Sequence, residues 1–208
     1  MTDYSDLKTQ ISEYANRQDW SDTLVSGFVR HAEQKFNQEL RVAQMIKTAI
    51  NLINCRCAAL PDDWLKLDLV KIQNDNGADG FLPIRYKARD EFFNLTDNLA
   101  YGYYTIEGSD IFIGGTPDAI NGQTVKIAYY GEVPVFSDTQ PSWIYTKYPS
   151  LYLYASLMHA DLHAVGEEDK AGMMKQLTED MIAKLNAAHL GSKASGSRVT
   201  RSRARSFG

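Results

Sequence analysis

Leu60-Pro61-Asp62-Asp63-Trp64-Leu65-Lys66-Leu67-Asp68-Leu69-Val70 decides what kind of protein this is. Pro61 and the two aspartates make a turn. From there the apolar residues fall at every second position, with Leu65, Leu67 and Leu69 alternating with Lys66, Asp68 and Val70. A period of two belongs to a strand with one buried face. The stretch thus predicts a turn feeding a strand, in a chain whose two ends repeat at the helical period.

Toward the N-terminus, Leu24, Val25, Phe28, Val29, Ala32, Phe36 and Leu40 form a stripe at 3.6-residue spacing, starting near Ser21 or Asp22. Glu33, Gln34, Lys35 and Gln38 lie off that stripe and are expected to face water. An earlier helix is capped by Thr2 or Asp3, shares one face among Leu7, Ile11, Tyr14 and Ala15, and breaks at Asn16-Arg17-Gln18-Asp19. Between Arg41 and Leu60, Ile50, Leu52, Cys55, Cys57 and Ala59 alternate with polar neighbours, and Asn54 can turn; a helix over Val42 to Ile53 also satisfies the pattern. Cys55 and Cys57 read as two small side chains on one strand face. A disulfide between them would be strained, and two ligands alone do not build a zinc site.

Toward the C-terminus, Asn76-Gly77 and Asp79-Gly80 mark a loop, Phe81 to Tyr86 a strand, and Arg89 to Leu95 one helical turn. Glu107-Gly108-Ser109-Asp110 has hairpin chemistry between Tyr103–Ile106 and Ile111–Ile113. Val125, Ile127 and Tyr129 alternate with Lys126, Ala128 and Tyr130. Pro149 opens a helix with a stripe of Leu151, Tyr154, Ala155, Met158 and Leu162. A last helix begins in Glu167-Glu168-Asp169, presents Met174, Leu177, Met181, Leu185 and Ala188, and is expected to end at Gly191. The fold class is therefore α+β: a four-helix bundle with an inserted small antiparallel β-module, sheet or barrel. The parts are 1–41 and 136–190 for the bundle helices, 42–135 for the β-rich module, and 191–208 for a flexible basic arm.

Composition narrows function. At 44% hydrophobic and 23% charged residues the chain is an ordinary globular one, with no apolar run near the ~20 residues of a membrane span. Its start, Met1-Thr2-Asp3-Tyr4, has no basic-then-apolar leader, so the expected place of synthesis and residence is the cytoplasm unless a larger particle carries the protein out. The net charge of −4 conceals an asymmetry. Lys193, Arg198, Arg201, Arg203 and Arg205 stand in the last stretch without an acid. That leaves 17 of the 22 basic residues against all 26 acids, so the body carries −9 and the arm +5.

Catalytic patterns are missing. Asp62-Asp63, Glu167-Glu168-Asp169 and Glu179-Asp180 lie in turn or helix-start contexts, where nothing splits their pKa values for acid/base work. The glycines from Gly108 to Gly122 fit no phosphate loop, and no nucleophile elbow is present. His159 and His163, four apart with Asp161 between, share a helix face and offer two metal ligands. They lack the Glu that comes directly after the first His in a zinc peptidase helix, so a surface or interface role is expected of them. No enzyme, cofactor or metal is called for. The 12 tyrosines concentrate in the β-module and the helix after it; Tyr145, Tyr148, Tyr152 and Tyr154 are candidates for a subunit interface, where aromatics with a polar tip are enriched.

The order of motifs resembles the head-to-tail adaptor proteins of tailed phages, especially short-tailed ones. The likeness rests on Tyr4-Ser5-Asp6-Leu7 with Ile11 and Arg17-Gln18-Asp19, on Ala32 to Arg41 in the second helix, and on Leu60 to Leu65. It is completed by Val125 to Phe136 running through Trp143 into a Tyr/Leu/Ala-rich helix. The resemblance implies a virion protein without a catalytic site, assembled in the host cytoplasm. It implies a homo-oligomeric ring, commonly of twelve subunits, that binds the portal protein and links it to a tail or nozzle protein. On that view the arm, with Lys193, Arg198, Arg201, Arg203, Arg205 and Phe207, clamps acidic grooves of the portal. It alternatively touches packaged DNA, or is a solvated tail of minor function. Another neck component, for head closure or tail completion, and a basic-tailed DNA-binding accessory protein are the other readings.

Overall fold

The computed structural model describes residues 3–73, 80–95, 102–164 and 168–196. The alternative cap Thr2, the loop residues Asn76, Gly77 and Asp79, and the helix-start residue Glu167 lie outside them. The chain divides into two compact units, Gln44–Glu132 and the combination of Met1–Ala43 with Val133–Gly208.

The first unit holds seven strands among its described residues: β1 Ile46–Leu52, β2 Cys57–Ala59, β3 Trp64–Gln73, β4 Phe81–Tyr86, β5 Tyr103–Glu107, β6 Asp110–Ile113 and β7 Thr124–Gly131. They form one sheet in the order β1-β7-β3-β4-β5-β6-β2. Its two edges meet where the Asn51 side-chain amide donates to the Ala59 carbonyl at 2.6 Å, so the sheet is a nearly closed barrel. Val70, Ile72, Ile84, Ile111, Ile113, Val125 and Ile127 fill the inside. The expected alternation is present in β7, whose Val125, Ile127 and Tyr129 all point inward.

The sequence expectation needs correction at three places here. Pairing is not wholly antiparallel: β4 and β5 run parallel, Arg85 beside Tyr103 and Tyr86 beside Tyr104, joined by a crossover that includes the short helix Arg89–Phe93. In β3, register shifts between Trp64 and Lys66 and between Leu67 and Leu69 change which face the leucines take. A bulge adds one residue on one strand and so flips the phase; Val70 and Ile72 go inside and Leu69 stays exposed. Third, Cys55 and Cys57 do not share a strand face. Asn54 and Cys57 pair across a two-residue turn with Cys55 at φ 48° and Arg56 at φ 69°, the left-handed pair that a type I′ hairpin requires.

In the other unit the chain begins with helices α1 Asp3–Tyr14 and α2 Asp22–Glu39. Counting Arg89–Phe93 as α3 and Pro117–Ile120 as α4, both in the β unit, the remaining helices are α5 Trp143–Lys147, α6 Pro149–His163 and α7 Glu168–Gly196. Ser21 caps α2, its hydroxyl accepting from the Leu24 N–H at 3.3 Å. The far end of α2 is capped by α7: Asn186 accepts from the Arg41 N–H at 2.7 Å and donates to the Glu39 carbonyl at 2.8 Å. Helix α6 packs against α1, α2, α5 and α7. Its buried set is accordingly wider than one stripe: Leu151 to Leu153, Ala155 to Met158, Ala160 and Asp161. Tyr154 is half-buried, and Leu162 is 62% exposed rather than inside.

Three more expectations fail in this unit. Tyr14 is exposed, because α1 buries Tyr4, Leu7 and Ile11 and reaches Tyr14 only in its last turn, just before Asn16 takes a positive φ. On α7 the inward line is Ala171, Thr178, Ile182 and His189, so Leu177 and Ala188 face out. Gly191 does not end α7, which continues through Gly196. The first residues of the predicted arm, Lys193 among them, are therefore helical.

Candidate assembly surfaces and the joints behind them

The run Ala32 to Arg41 is a joint. Glu33, expected in water, is buried at 6% exposure, and its Oε1 accepts from the Phe136 N–H at 2.6 Å and from the Tyr152 hydroxyl at 3.1 Å. One turn further, Asn37 Oδ1 accepts from the Val133 N–H at 2.8 Å. Glu33 and Asn37 are four residues apart and thus on one helix face, and together they fasten the segment that begins at Val133. Phe36 stacks edge-on against Tyr152 at 4.9 Å, and Phe136 packs between Tyr4 and Tyr152. Lys35 joins Glu39 at 2.8 Å and Glu179 at 3.5 Å, tying α2 to α7. Burial pushes the Glu33 carboxyl above its ordinary value, although the Phe136 N–H, Tyr152 and Arg30 pull the other way.

The turn at Leu60 is a second joint, internal to the barrel. Leu60 is buried, and Asp63 binds the Lys47 ammonium and accepts from the Tyr129 hydroxyl at 3.0 Å. Burial opposes ionisation of Asp63, but these two donors outweigh it and hold the carboxyl below its usual range. Tyr129 is driven the opposite way, by burial and by the Asp63 charge, to about 12. The Asp63 carboxylate thus adds stability above the ordinary aspartate value, lost as pH falls through the lowered one. Gly131 leaves room for this contact: a Cβ there would come within 2.7 Å of Lys47 Cδ and 3.0 Å of Asp63 Oδ2. We expect Gly131→Ala to push the Lys47 stem aside and cost about 1 kcal/mol, read by urea denaturation, since a half-exposed ion pair contributes little more than that.

The histidines do not assemble as a metal site. His159 is stacked near His31 of α2, ring centroids 5.1 Å apart, in a groove of about 220 Å³ with Gln34, Lys35, Gln38 and Met158. His163 instead lies by Phe28 and Trp20. Among the described residues no three His, Cys, Asp or Glu side chains converge on one point. Burial, then the neighbouring His31 and Lys35, lowers the pKa of His159 below 6.5. The unfolded chain binds this proton more readily than the folded one, so stability is full above about pH 6.5 and falls as pH drops toward the lowered value. In acid titrations of the melting midpoint we expect His159→Phe to flatten that slope.

The predicted contact residues divide. Tyr152 is fully buried and belongs to the joint at Glu33, whereas Tyr145, Tyr148 and Tyr154 are half-buried. Lys193 is exposed on α7; Arg198, Arg201, Arg203, Arg205 and Phe207 lie outside the described residues. No helix among the described residues is long and apolar enough to cross a membrane.

The side chains that make the chain distinctive are spent on joints of a scaffold. The SU10 adaptor protein family model matches residues 2–205, so the chain belongs to that family, the structural adaptor proteins of bacteriophages. The resemblance to phage head-to-tail adaptors agrees with this. No curated protein matches the chain.

Proposed function

We propose that this chain is the head-to-tail adaptor of a tailed phage: it forms a ring under the portal and joins it to the tail. The observation that carries this reading is a family match spanning nearly the whole chain, 2–205, rather than one unit of it. Helices α1, α2, α6 and α7 serve in it as a four-helix bundle that holds the ring, with the β-barrel unit inserted between Ala43 and Val133. The basic arm clamps acidic grooves of the portal, arginine guanidinium groups pairing with carboxylates. The work is binding, and no chemical step is involved.

The test is reconstitution. Portal rings of the same phage, mixed with excess chain and imaged by cryo-electron microscopy, are expected to gain a second ring with one chain per portal subunit. Portal rings that remain bare at high protein concentration would contradict the reading. The arm's charge of +5 favours a second reading, DNA contact, which predicts affinity for duplex DNA falling steeply with salt.

A further inference from the structure

The barrel carries an apolar face that nothing within its own unit covers. Ile50 is 58% exposed, Leu52 70% and Leu69 41%. The register places them in rows. Ile50 sits beside Lys126, Lys126 beside Lys71, and Lys71 beside Pro83; in the next row Leu52 sits beside Thr124. Side chains two apart on a strand share a face, which adds Arg85 from β4 to the same side as Pro83. Lys126 lies over the Phe81 ring at 5.8 Å, which fixes that ammonium on this face.

The face is thus apolar and cationic at its paired positions, Lys71, Lys126 and Arg85, with the exposed Asp68 at the β3 bulge on its border. It stands out on a chain whose body, without the arm, carries −9. Exposed aliphatic side chains argue for a protein occupant, since nucleic-acid interfaces are polar. A second copy of this chain brings a body whose net charge of −9 is opposite in sign to this face. Two such faces cannot meet each other, because Lys71, Arg85 and Lys126 would oppose their own counterparts. The contact must therefore join two different surfaces, the head-to-tail kind that generates a ring where the rotation between copies closes.

We infer that the outer face of β1, β7, β3 and β4, centred on Ile50, Leu52, Lys71 and Lys126, docks on an acidic surface of a second copy of this chain. The inference rests on the ring proposed above and names one side of its repeating contact. Strand spacing of about 4.8 Å and a rise of about 3.3 Å per residue make the face roughly 20 Å square, or about 400 Å² per copy. That is below what a stable dimer buries, so the single contact is weak and ring closure supplies the rest.

A photoreactive benzoylphenylalanine in place of Leu52 tests it, in the full chain at several hundred micromolar. Irradiation is expected to give covalent dimers whose cross-links, located by mass spectrometry, reach acidic exposed positions outside the barrel face. The Lys71→Glu, Lys126→Glu double variant is expected to lower the dimer yield about five-fold or more, as is high salt, with the melting midpoint unchanged. A yield no higher than from the same probe at exposed Tyr14, cross-links from the face to itself, or indifference to charge reversal would each overturn the inference. The ring reading fails separately. If wild-type chain and the charge-reversed variant both form rings on the portal, only the docking face is wrong; if neither does, while the cross-links form as expected, the ring is wrong.

Discussion

Glu33→Ala is expected to unfold the helical unit more readily than any other single change at the motifs, by about 3 kcal/mol. The substitution removes the acceptor for two buried donors at once, the Phe136 N–H and the Tyr152 hydroxyl, in a place where water does not reach them. A loss of that size lowers the melting midpoint by about 10 °C in a chain of this length. Glu33→Gln separates the causes. It keeps an oxygen for the Phe136 N–H and removes the buried charge, so its cost should be about 1 kcal/mol. It should also remove a pH dependence. The Glu33 carboxyl is raised in the fold, so the folded chain holds this proton more tightly, and stability falls as pH rises from about 4.5 through the raised value. Urea denaturation of the wild type and both variants at several pH values reads all three effects. Equal stability of Glu33→Ala and wild type would show that the contact is not a joint.

The second large effect is on binding. Because α7 runs to Gly196, truncation at Gly191 would cut helix as well as arm; truncation after Gly196 removes residues 197–208 and leaves the helix whole. We expect that shorter chain to melt as the full one does, and to lose affinity for portal rings by on the order of 100-fold, because many weak arm contacts act together in a ring. Charge-neutral replacement of Arg198, Arg201, Arg203 and Arg205 by Gln should reproduce most of the loss. Sedimentation of portal rings with each variant measures it. Undiminished binding by the truncated chain would remove the clamp and leave the helices to do the docking.

How far the residues reveal the fold depends on whether local pattern decides the outcome. The stripe from Val25 to Leu40 and the alternation in β7 are local, and both place the core correctly. So is the Glu107–Asp110 hairpin, where Gly108 supplies the positive φ at its turn. The leucines of β3 are opaque because a bulge is set by the partner strand, and one extra residue reverses every face after it. The parallel β4–β5 pair is equally hidden, since strand direction is a property of the crossover and not of either strand's residues. At Gly191, helix-ending chemistry is outvoted by continuation of α7, whose buried His189 lies just before it.

The candidate site is less legible than the fold. Glu33 looks like a solvent residue because it lies off the apolar stripe; only the arrival of Val133 to Phe136 over α2 turns that position inward. The Ala32 to Arg41 run is conspicuous as a likeness, but a likeness gives no reason for its Glu and Asn. The outer barrel face gives a misleading signal because alternation alone does not say which set points in. Ile50 and Leu52 alternate as a buried pair would, yet β1 turns Ala49 and Asn51 inward and leaves the larger side chains outside.

If this chain is the adaptor, it is a stoichiometric part of the neck of a phage particle. Quantitative mass spectrometry of purified particles, comparing its copy number with that of the portal protein, tests this most directly. Near-equal copies are expected, as one adaptor per portal subunit requires. Absence of the chain from complete particles would contradict the adaptor role.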